Sequence, residues 1–582
     1  MENKSSDNNQ QLPTWNPLVW RLNTRTKVVS QEPVSSAWSK LGGRGLLARI
    51  LLDEVLPTCE PLGASNKLIF SPGLLVGHML SSCDRISIGC KSPLTGGVKE
   101  ANAGGTTGLH MAALGIKALI LEDQPSSGEW SVIYINSDGV RFDSAKDLIG
   151  WGVYESSAYL LERYGTKVAI ALIGPGGEMQ LASAGIQNLD KEGIPSRIAA
   201  RGGVGAVMGS KGIKAIVFDS QGSKKPPIAH PEEYKQAQKV YSKALLEHPQ
   251  TAIYRDYGTA AMTRISNGFG GLPTRNFSRG TFESAENLSG ETMRQALLDR
   301  KGESNPTHAC MPGCTIRCSN IYGNKDGKTI VSPLEYETIG LMGSNLGIAD
   351  LDTIAQLNRE VNDLGLDSIE IGAALGVAVE GGLISFGNGD QVMEFLTQIR
   401  RGSPIGRLIG SGAAITGKVL GVIRVPVVKG QAMSAYEPRA IKGTGVTYAT
   451  SPQGADHTSG LTIRAKVDHL DPKVQVDVSR KAQINMAGYD TLGACIFAGF
   501  GFGAAPETIR DLLNARYGWQ VEADILHVLG KETLSLEREF NGRAGFTSAH
   551  DRLPEWMTKE PLPPTQAVFD VTDEDLDSLF NW

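Results

Sequence analysis

The 582-residue sequence predicts an α+β protein in which a sheet-rich N-terminal domain precedes two mostly helical domains. Up to residue 222, the apolar residues form short runs rich in Val, Ile and Leu, which are typical of strands. A polar linker that contains two prolines follows at residues 222–227. After the linker, apolar residues recur every three or four positions, which is the spacing of helices that pack on a core.

The individual elements follow from the same two patterns. Predicted strands lie at residues 18–22, 68–70, 118–121, 130–135, 168–172 and 215–218. A helical pattern interrupts them at residues 144–164, and further helices are predicted at residues 231–247, 291–300, 350–364, 368–383 and 507–517. Pro506 and Gly518 bracket the last helix, as residues of these types commonly do.

These patterns divide the chain into four parts, since 582 residues are too many for a single core. Residues 1–16 are rich in Asn, Ser and Gln and are expected to be disordered. Residues 17–222 form the predicted sheet-rich domain. Residues 223–430 form a helical domain with a cysteine loop, and residues 431–582 form a helical C-terminal domain.

Composition argues against several classes of protein. The chain has 57 basic and 62 acidic residues, and a net charge of −5 argues against nucleic acid as a partner. No run of 18 apolar residues occurs, so no membrane-spanning helix is predicted. The first residues are polar and lack the apolar centre of a signal peptide, which predicts a cytoplasmic location.

The cysteines point to a metal centre. Three of the seven lie close together in the loop Cys310-Met-Pro-Gly-Cys314-Thr-Ile-Arg-Cys318, and a fourth lies far downstream at Cys495. Each iron of a [4Fe–4S] cluster takes one thiolate, and a short loop can reach only three of the four irons. The sequence therefore predicts that these four cysteines bind one [4Fe–4S] cluster, which implies electron transfer.

Two other kinds of site also use cysteines in this number. Structural zinc sites favour pairs of C-x2-C, and radical enzymes that use adenosylmethionine favour C-x3-C-x2-C, whereas this loop is C-x3-C-x3-C. The spacing favours the iron–sulfur cluster and leaves those alternatives open. The remaining cysteines have no such grouping and are expected to be buried free thiols: Cys59, Cys83 and Cys90.

Glycine is frequent, with 69 residues, and it is clustered. Four segments of the N-terminal domain place glycines beside Arg, Lys, Ser or Thr: residues 42–45, 91–97, 102–108 and 201–211. The last has neither the G-x-G-x-x-G fingerprint of dinucleotide-binding folds nor the lysine position of a P-loop. Exposed backbone N–H groups with nearby cations suit a large ligand that carries several phosphates.

Longer motifs connect these elements along most of the chain. They include Arg85 ahead of Lys91-Ser-Pro-Leu-Thr-Gly96, Ala101-Asn-Ala-Gly-Gly105, the segment RIAARGGVGAVMGSK at residues 197–211, Glu335-Tyr-Glu-Thr338, Gly343-Ser-Asn-Leu-Gly347, Leu364-Gly-Leu-Asp367, Tyr448-Ala-Thr-Ser-Pro452, Gly454-Ala-Asp-His457 and Asp490-Thr-Leu-Gly-Ala-Cys495. In these motifs, from about residue 18 to Asp551-Arg-Leu-Pro554, the chain resembles the tungsten-containing aldehyde ferredoxin oxidoreductase family.

The resemblance implies a tungsten (or molybdenum) atom held by two pyranopterins, with magnesium bridging their phosphates. The sheet-rich domain would be the saddle on which this cofactor lies, and residues 362–367 and 490–495 would hold one pterin each. The cofactor-binding residues that it implies are Arg85, Asn102, Ala103, Gly104, Gly105, Arg201, Gly202, Asn362, Gly365, Leu366, Asp367, Asp490, Gly493 and Ala494. Arg85 and Arg201 would face the phosphates, and the backbone of Asn102 and Gly202 would lie near magnesium.

The same resemblance implies the catalytic groups. Glu337 would act as the general base and His457 as the proton-handling group, because water activation needs a basic carboxylate beside a donor. Asp456 and Glu335 are the nearest alternatives. Purely structural roles are also open, since Glu337 precedes a helical pattern and His457 follows a glycine turn.

The chain departs from the family pattern at three points. Many members have C-x2-C-x3-C in the cluster loop, Asn362 stands where an aspartate is common, and Ala544 replaces a carboxylate. These differences indicate a divergent subfamily with its own substrate.

The activity implied by the resemblance is oxidation of a small aldehyde to a carboxylate with water. The electrons would pass through the cluster to ferredoxin or a ferredoxin-like subunit, with the chain in a homo-oligomer or a hetero-complex. An alternative is the catalytic subunit of a larger low-potential reductase that acts on an aromatic acyl-CoA. A non-enzymatic electron-transfer protein would leave the pterin motifs without a purpose.

Overall fold

The computed structural model describes residues 16–126 and 128–582. Disorder was expected for residues 1–16, of which residues 1–15 lie outside the described residues. The predicted fold class is confirmed: the N-terminal part is rich in sheet, and the remainder of the described chain is mostly helical.

The N-terminal part contains two six-stranded mixed sheets. Their strands are β1 Leu18–Asn23, β2 Val29–Pro33, β3 Leu68–Pro72, β4 Ile86–Lys91, β5 Val98–Ala103, β6 Ile116–Glu122, β7 Ser131–Asn136, β8 Gly139–Ser144, β9 Ala169–Leu172, β10 Ile186–Leu189, β11 Pro195–Ala199 and β12 Ile213–Phe218. The first sheet has the order β2-β1-β6-β3-β4-β5 and the second β11-β10-β9-β12-β7-β8. Each sheet has one parallel pair, β1 with β6 and β12 with β7, among antiparallel neighbours.

All six predicted strands are present, but the other six strands of these two sheets were missed. The missed strands include β4 and β5, which have the sequences ISIGCK and VKEANA and carry charged residues and glycine. Every residue of β4 and nearly every residue of β5 is buried, because other parts of the chain cover them. Their lysines and glutamate are partnered by tertiary contacts, which a strand pattern cannot reveal.

Two short sheets lie beyond the linker. Their strands are β13 Asn305–His308, β14 Ser319–Gly323, β15 Thr329–Val331, β16 Val427–Val428 and β17 Gln431–Ala432. β13, β14 and β15 pair antiparallel in that order, and the cysteine loop connects β13 to β14.

Helices make up most of the remaining structure. They are α1 Ser36–Ser39, α2 Gly43–Glu54, α3 Thr107–Ala113, α4 Val153–Tyr164, α5 Pro175–Glu178, α6 Val204–Ser210, α7 Pro231–Glu247, α8 Pro249–Tyr257, α9 Met262–Gly268, α10 Gly290–Arg300, α11 Tyr336–Met342, α12 Leu351–Leu364, α13 Ser368–Glu380, α14 Gly389–Arg400, α15 Pro404–Gly410, α16 Ala413–Leu420, α17 Lys442–Thr450, α18 Gln475–Leu492, α19 Gly499–Ala504, α20 Glu507–Tyr517, α21 Ile525–Arg543, α22 Glu555–Lys559 and α23 Asp573–Asp577.

The helix predictions beyond the linker are confirmed except for the end of α13, and the prediction before the linker is partly wrong. α7 and α20 have the predicted bounds, and α10 and α12 agree within one residue. The pattern at residues 144–164 was wrong in its first half, because Gly150 has φ +85° and α4 begins at Val153. α13 ends three residues early, before Gly382 with φ +77°.

One N-terminal helix joins the sheets to the C-terminal helices. α2 lies on β3 and β4, and its opposite side contacts α18 and α21. Its apolar residues belong to a large hydrophobic core that extends through the helical part of the chain. Within the described residues, no helix combines the length and the apolar character needed to span a bilayer.

Candidate active site

Two glycine turns form the floor of the site, after the neighbouring edge strands β5 and β11. Gly105 has φ +93°, and a Cβ there would lie 2.5 Å from the Leu189 carbonyl oxygen. Gly202 has φ +79°, and a Cβ there would lie 2.2 Å from Lys99 Cγ. Because no side chain fits at either position, glycine lets these turns pack closely against Leu189 and Lys99.

Two helix ends form the walls. α12 ends at Gly365 with φ +71°, and α18 ends at Gly493 with φ +77°. The N-terminal part holds both ends by backbone hydrogen bonds, from Gly185 N–H to the Gly365 carbonyl (2.9 Å) and from Arg85 N–H to the Gly493 carbonyl (3.1 Å). The segments after these glycines, which include Asp367, are therefore fixed against the sheets.

Two adjoining cavities of about 210 and 300 Å³ lie between the floor and the walls. The residues that line both are Arg85, Ile198, Ala200, Ile369 and Cys495. The predicted site residues that line one or both cavities are Arg85, Asn102, Ala103, Gly104, Arg201, Cys310, Cys318, Glu337, Asn362, Asp367, His457, Asp490, Ala494 and Cys495. The predicted site residues that lie outside this lining are Gly105, Gly202, Cys314, Gly365, Leu366 and Gly493.

The cysteine loop and Cys495 meet at one end of the cavities. All seven cysteines of the chain are free thiols, and the buried state predicted for Cys59, Cys83 and Cys90 is confirmed. The cysteine loop is tied to the glycine floor, since Gly105 N–H donates to the Cys310 carbonyl (2.9 Å).

The environment shifts the pKa of these thiols in different directions. The pKa of Cys314 is lowered to about 6, chiefly by a hydrogen bond from the Cys310 thiol. Burial raises the pKa of Cys495, and the nearby Arg85 guanidinium acts in the opposite direction. A thiolate is the form that binds metal, so the lowered pKa of Cys314 favours this role.

The two predicted phosphate-facing arginines differ in their partners. Arg201 donates from Nε to Asp367 (3.1 Å) and from its two terminal nitrogens to backbone carbonyls. Arg85 binds the Asn102 side chain and its carbonyl, and its Nη1 has no hydrogen bond to any described residue. Arg85 is therefore free to bind a ligand, whereas Arg201 holds the cavity wall.

A buried ion pair fixes the backbone beside His457. Lys99 Nζ lies 2.6 Å from Asp456 Oδ2, and both side chains are almost completely buried. Burial alone would raise the pKa of Asp456, but Lys99 and Arg201 hold it well below its usual range. The ionised carboxylate also accepts a hydrogen bond from Thr458 N–H (3.0 Å), which caps the short turn that starts at His457.

His457 lines the smaller cavity and Glu337 the larger one, and the two side chains are in contact. His457 Nε2 lies 3.2 Å from Glu337 Oε1, and the other carboxylate oxygen accepts a hydrogen bond from Ala435 N–H (2.9 Å). His457 Nδ1 lies 3.7 Å from Asp456 Oδ1 and has no hydrogen-bond partner among the described residues. Glu337 lies in the first turn of α11, and both side chains are partly exposed.

The alternative base, Glu335, lines the same cavity. Thr259 Oγ1 donates a hydrogen bond to it. Burial raises the pKa of Glu335, which this hydrogen bond partly opposes. Glu335 has no imidazole partner among the described residues, so it lacks the acid–base pairing seen at Glu337.

Two family models cover most of the chain. The model described as "Aldehyde ferredoxin oxidoreductase, N-terminal domain" matches residues 19–220. The model described as "Aldehyde ferredoxin oxidoreductase, domains 2 & 3" matches residues 236–581. The chain belongs to the aldehyde ferredoxin oxidoreductase family. It is therefore an oxidoreductase.

Known relatives of this family member are similar over nearly their full length. A tungsten-containing aldehyde ferredoxin oxidoreductase of Thermococcus kodakarensis is 34% identical over 93% of this chain and 91% of the relative. An aliphatic sulfonate oxidoreductase, WOR-like subunit, of Pyrococcus furiosus is 28% identical over 88% of this chain and 84% of the relative.

The fold also matches a solved structure, the active site complex BamBC of benzoyl coenzyme A reductase with 1,5-dienoyl-CoA. The TM-score is 0.78 at 19% identity, over 97% of this chain and 93% of that chain. At this identity, the likeness shows a shared fold.

Arg44 is a site residue that the sequence analysis missed. It is buried on α2, with Nε 2.8 Å from Glu537 Oε1 and Nη1 3.2 Å from Asp490 Oδ2. The signal was the glycine cluster around Arg44, since a Cβ on Gly43 would lie 2.1 Å from the Asp490 carbonyl oxygen. That cluster was interpreted as a phosphate turn, but it brings α2 against α18.

Glu100 was also missed, although it lines the cavity. Burial raises the pKa of Glu100, and Arg44 acts against this shift. It accepts a hydrogen bond from Asn102 Nδ2 (3.2 Å). Its position in β5, a strand that was not predicted, explains why no sequence signal marked it.

A cluster of polar side chains joins the cysteine loop to the second sheet. Asp190, Glu192 and His308 bring possible metal-binding atoms within 4.8 Å of one another. However, Arg197 Nη2 lies 3.1 Å from His308 Nδ1, and a guanidinium can only donate. The proton of His308 must then be on Nε2, which donates to Glu192 (3.0 Å). The cluster is a hydrogen-bond network that anchors β13.

Proposed function

We propose that this protein is a tungsten (or molybdenum) bis-pyranopterin enzyme that oxidises an aldehyde to a carboxylate with water. The electrons would pass through a [4Fe–4S] cluster to ferredoxin or a ferredoxin-like subunit. The observation that carries the proposal is the contact between Glu337 and His457 at two adjoining cavities that cysteines also line. The name of the 34% identical relative supports the metal and the substrate class.

The residues around the cavity fit a phosphate-bearing cofactor. Arg85 lines the cavity together with Ala103 and Gly104, and it keeps one nitrogen free of bonds to the described residues. In this proposal Arg85, residues 102–105 and Gly202 hold the phosphates, and residues 362–367 and 490–494 hold the pterins. Arg201 acts indirectly, because its hydrogen bond orients Asp367.

The backbone carbonyls proposed to lie near magnesium keep the capacity to bind it. The Asn102 carbonyl accepts from Arg85 Nη2 (3.1 Å), and the Gly202 carbonyl accepts from Ser92 Oγ (2.7 Å). Each carbonyl oxygen has a second lone pair, and oxygen is the ligand that magnesium prefers.

The cysteines fit an iron–sulfur cluster. Cys310, Cys318 and Cys495 line the cavity, and the Cys314 thiol is hydrogen-bonded to that of Cys310. Cys495 comes from the segment proposed to hold a pterin, so this segment would contact both redox centres. That arrangement favours transfer of electrons from the cofactor to the cluster.

The reaction converts RCHO and H₂O into RCOO⁻, three protons and two electrons. When bound, the metal–pterin group supplies the two-electron acceptor. Glu337 takes a proton from the attacking water or the aldehyde hydrate at Oε1, since Oε2 is held by Ala435 N–H. His457 Nε2, at 3.2 Å, shares that proton and passes it on.

The proposal places the protein in the cytoplasm, where a low-potential cluster and free thiols stay reduced. Its partner is an electron-transfer protein or subunit. A homo-oligomer and a hetero-complex with that subunit are the two assemblies that the proposal allows.

A second candidate is a reductase complex subunit whose substrate is not an aldehyde, such as an aromatic acyl-CoA. The 28% identical relative is named as a subunit that acts on aliphatic sulfonates, which supports a substrate other than an aldehyde. The Glu337–His457 pair suits the hydration chemistry of an aldehyde and favours the first.

The test is anaerobic purification of the full chain from cells grown with tungstate or molybdate. We expect about four iron atoms per chain, together with the metal and pterin. We also expect reduction of a viologen with members of an aldehyde panel. Zinc in place of iron, or activity with sulfonates or acyl-CoA but with no aldehyde, would contradict the respective parts of the proposal.

A variant tests the shared segment. Cys495→Ser should lower iron content and pterin content together, because one segment would hold both groups. If Cys495→Ser kept full pterin content while losing iron, the segment would not couple the two centres. Cys90→Ser serves as the matched control, since Cys90 is a buried thiol on β4 outside both cavities.

A further inference from the structure

Ser82 has an unusual backbone conformation for its position. Its φ is +63°, in the left-handed region, although it is not glycine and its side chain is buried. This conformation is unfavourable for an L-residue, because its Cβ lies too close to the following carbonyl oxygen. Residues of this kind persist where the surrounding structure requires them, commonly at functional sites.

The contacts of Ser82 connect the two cysteine segments. Its Oγ lies 3.6 Å from Cys314 Sγ, within hydrogen-bond range for sulfur. Its backbone carbonyl accepts a hydrogen bond from Cys495 N–H (2.7 Å). One residue therefore touches both the cysteine loop and the distant fourth cysteine.

The loop that carries Ser82, residues 73–84, is held from several sides. Tyr241 OH donates to the Ser81 carbonyl (2.8 Å), and Ser81 Oγ accepts from Thr315 N–H (3.0 Å). Gly77 N–H donates to Asp84 Oδ1 (2.7 Å). The bonds from Tyr241 and Gly77, which do not involve the Ser81 hydroxyl, hold the loop on both sides of Ser82, so the Ser82 hydroxyl is preorganised toward the sulfur.

We propose that Ser82 is a positioning residue that raises the reduction potential of the cluster by donating a hydrogen bond to Cys314 Sγ. This inference rests on the proposed [4Fe–4S] cluster. A donor at a thiolate sulfur stabilises the reduced cluster more than the oxidised one, because reduction adds negative charge. The left-handed backbone is retained because it directs the hydroxyl to one cysteine segment and the carbonyl to the other.

The test compares two substitutions that both remove the hydroxyl. Ser82→Ala keeps the strained backbone, whereas Ser82→Gly removes the strain. The readout is the midpoint potential of the cluster, from a redox titration monitored by electron paramagnetic resonance on iron-replete protein. We expect both variants to shift to lower potential by a similar amount, and Ser82→Gly to be the more thermally stable of the two.

The matched control is Ser81→Ala. The Ser81 hydroxyl bonds to Thr315 and to no sulfur among the described residues, so this variant should keep the parental potential. An equal shift in Ser81→Ala would overturn the proposal, because loop disturbance would then explain it.

The remaining outcomes are also decisive. A parental potential in iron-replete Ser82→Ala overturns the inference, as does a shift confined to Ser82→Gly. Loss of iron from both variants would overturn the tuning role and assign Ser82 to cluster assembly. A parent protein that contains no iron would instead contradict the proposed cluster itself, so the two failures are distinguishable.

Discussion

At the scale of single residues, the site depends on which partner each polar atom has. Arg201 and Asp456 are in ion pairs with neighbouring side chains, so both are fixed parts of the wall. Glu337 and His457 are bonded mainly to each other and stay partly exposed at the cavity. Side chains with this freedom can exchange protons with a substrate, which those in buried ion pairs cannot.

The first prediction concerns these two groups. Glu337→Gln and His457→Asn should keep metal, pterin and iron, but each should oxidise aldehyde about 10²–10⁴-fold more slowly. This is the usual effect of removing an acid–base group. Anaerobic kcat measurements with matched cofactor analysis would check this.

Glu335→Gln discriminates between the two carboxylates of the motif. Glu335 lines the cavity without an imidazole partner among the described residues, so this variant should retain most of the activity. The roles would be reversed if Glu335→Gln were the inactive variant and Glu337→Gln kept near-parental turnover.

At the scale of elements, two helix ends and one loop connect the N-terminal sheets to the site. α12 and α18 each end at a glycine with a left-handed backbone conformation. Each of these glycines accepts a hydrogen bond from the backbone of the N-terminal part. The loop at residues 73–84 supports both the end of α18 and the cysteine loop. Changes in these elements should therefore affect stability and cofactor retention together.

The second prediction concerns the glycine ends. Alanine at Gly365 would place its Cβ 2.6 Å from Gly174 N, and at Gly493 it would lie 2.6 Å from Val76 Cγ2. Each substitution adds this clash to the left-handed penalty, for a total of about 2–4 kcal/mol of unfolding free energy. Denaturant unfolding and metal content would measure the two effects.

Gly421→Ala is the control for this pair. Gly421 ends α16 with φ +68°, and a Cβ there would have no described atom within 4 Å, so only the conformational penalty of about 1–2 kcal/mol should remain. Equal losses of unfolding free energy in all three variants would show that the close packing at Gly365 and Gly493 contributes nothing to stability.

The third prediction is a pH dependence from Asp84, in the loop at residues 73–84. Burial raises its pKa to about 7 from 3.8, and its Oδ2 has no hydrogen-bond partner among the described residues. The folded state then keeps a proton that the unfolded state has lost, so stability should fall as pH rises from about 4 to 7 and then level off. Asp84→Asn should remove this pH dependence. From pH 5 to pH 8, its free energy of unfolding should therefore increase by roughly 2–3 kcal/mol relative to that of the parent.

Thermal unfolding across this pH range would measure the effect. Asp138→Asn alters an exposed turn carboxylate and should give a curve parallel to that of the parent. A curve for Asp84→Asn that also runs parallel to the parent would mean that Asp84 is ionised in the folded protein.

At the scale of the whole molecule, buried charges join distant parts of the chain. Arg44 on α2 contacts Glu537 on α21 and Asp490 on α18, all nearly inaccessible to solvent. Lys99 on β5 pairs with Asp456 in the C-terminal part. Both networks lie beside the cavity and link the sheets to the helices that cover them.

The fourth prediction follows from the first network. Arg44→Met should cost about 3–5 kcal/mol, because two carboxylates would stay buried without their cation. It should also lower cofactor content, since Asp490 lines the cavity. Arg25→Met, which breaks an exposed pair with Asp123, should change stability very little, because water and salt screen the pair. A similar small loss for Arg44→Met would show that the network contributes little to holding the parts together.

The sequence alone determined the features that depend on neighbouring residues. Apolar periodicity located α7 to the residue, and Pro506 and Gly518 did the same for α20. Short apolar runs located six strands, and ordered motifs identified the family. These features are readable because helix and strand periods, turns and motif spacings involve residues that are close along the chain.

The tertiary structure decided which distant side chains meet. The contact of Glu337 with His457, the ion pairs of Arg201 and Arg44, and the position of Ser82 between two cysteine segments had no local signal. Each requires segments from different parts of the chain to pack together, and burial then selects partners that satisfy their charges and hydrogen bonds. The same packing explains why β4 and β5 escaped prediction, because their polar residues are buried only when the helices cover them.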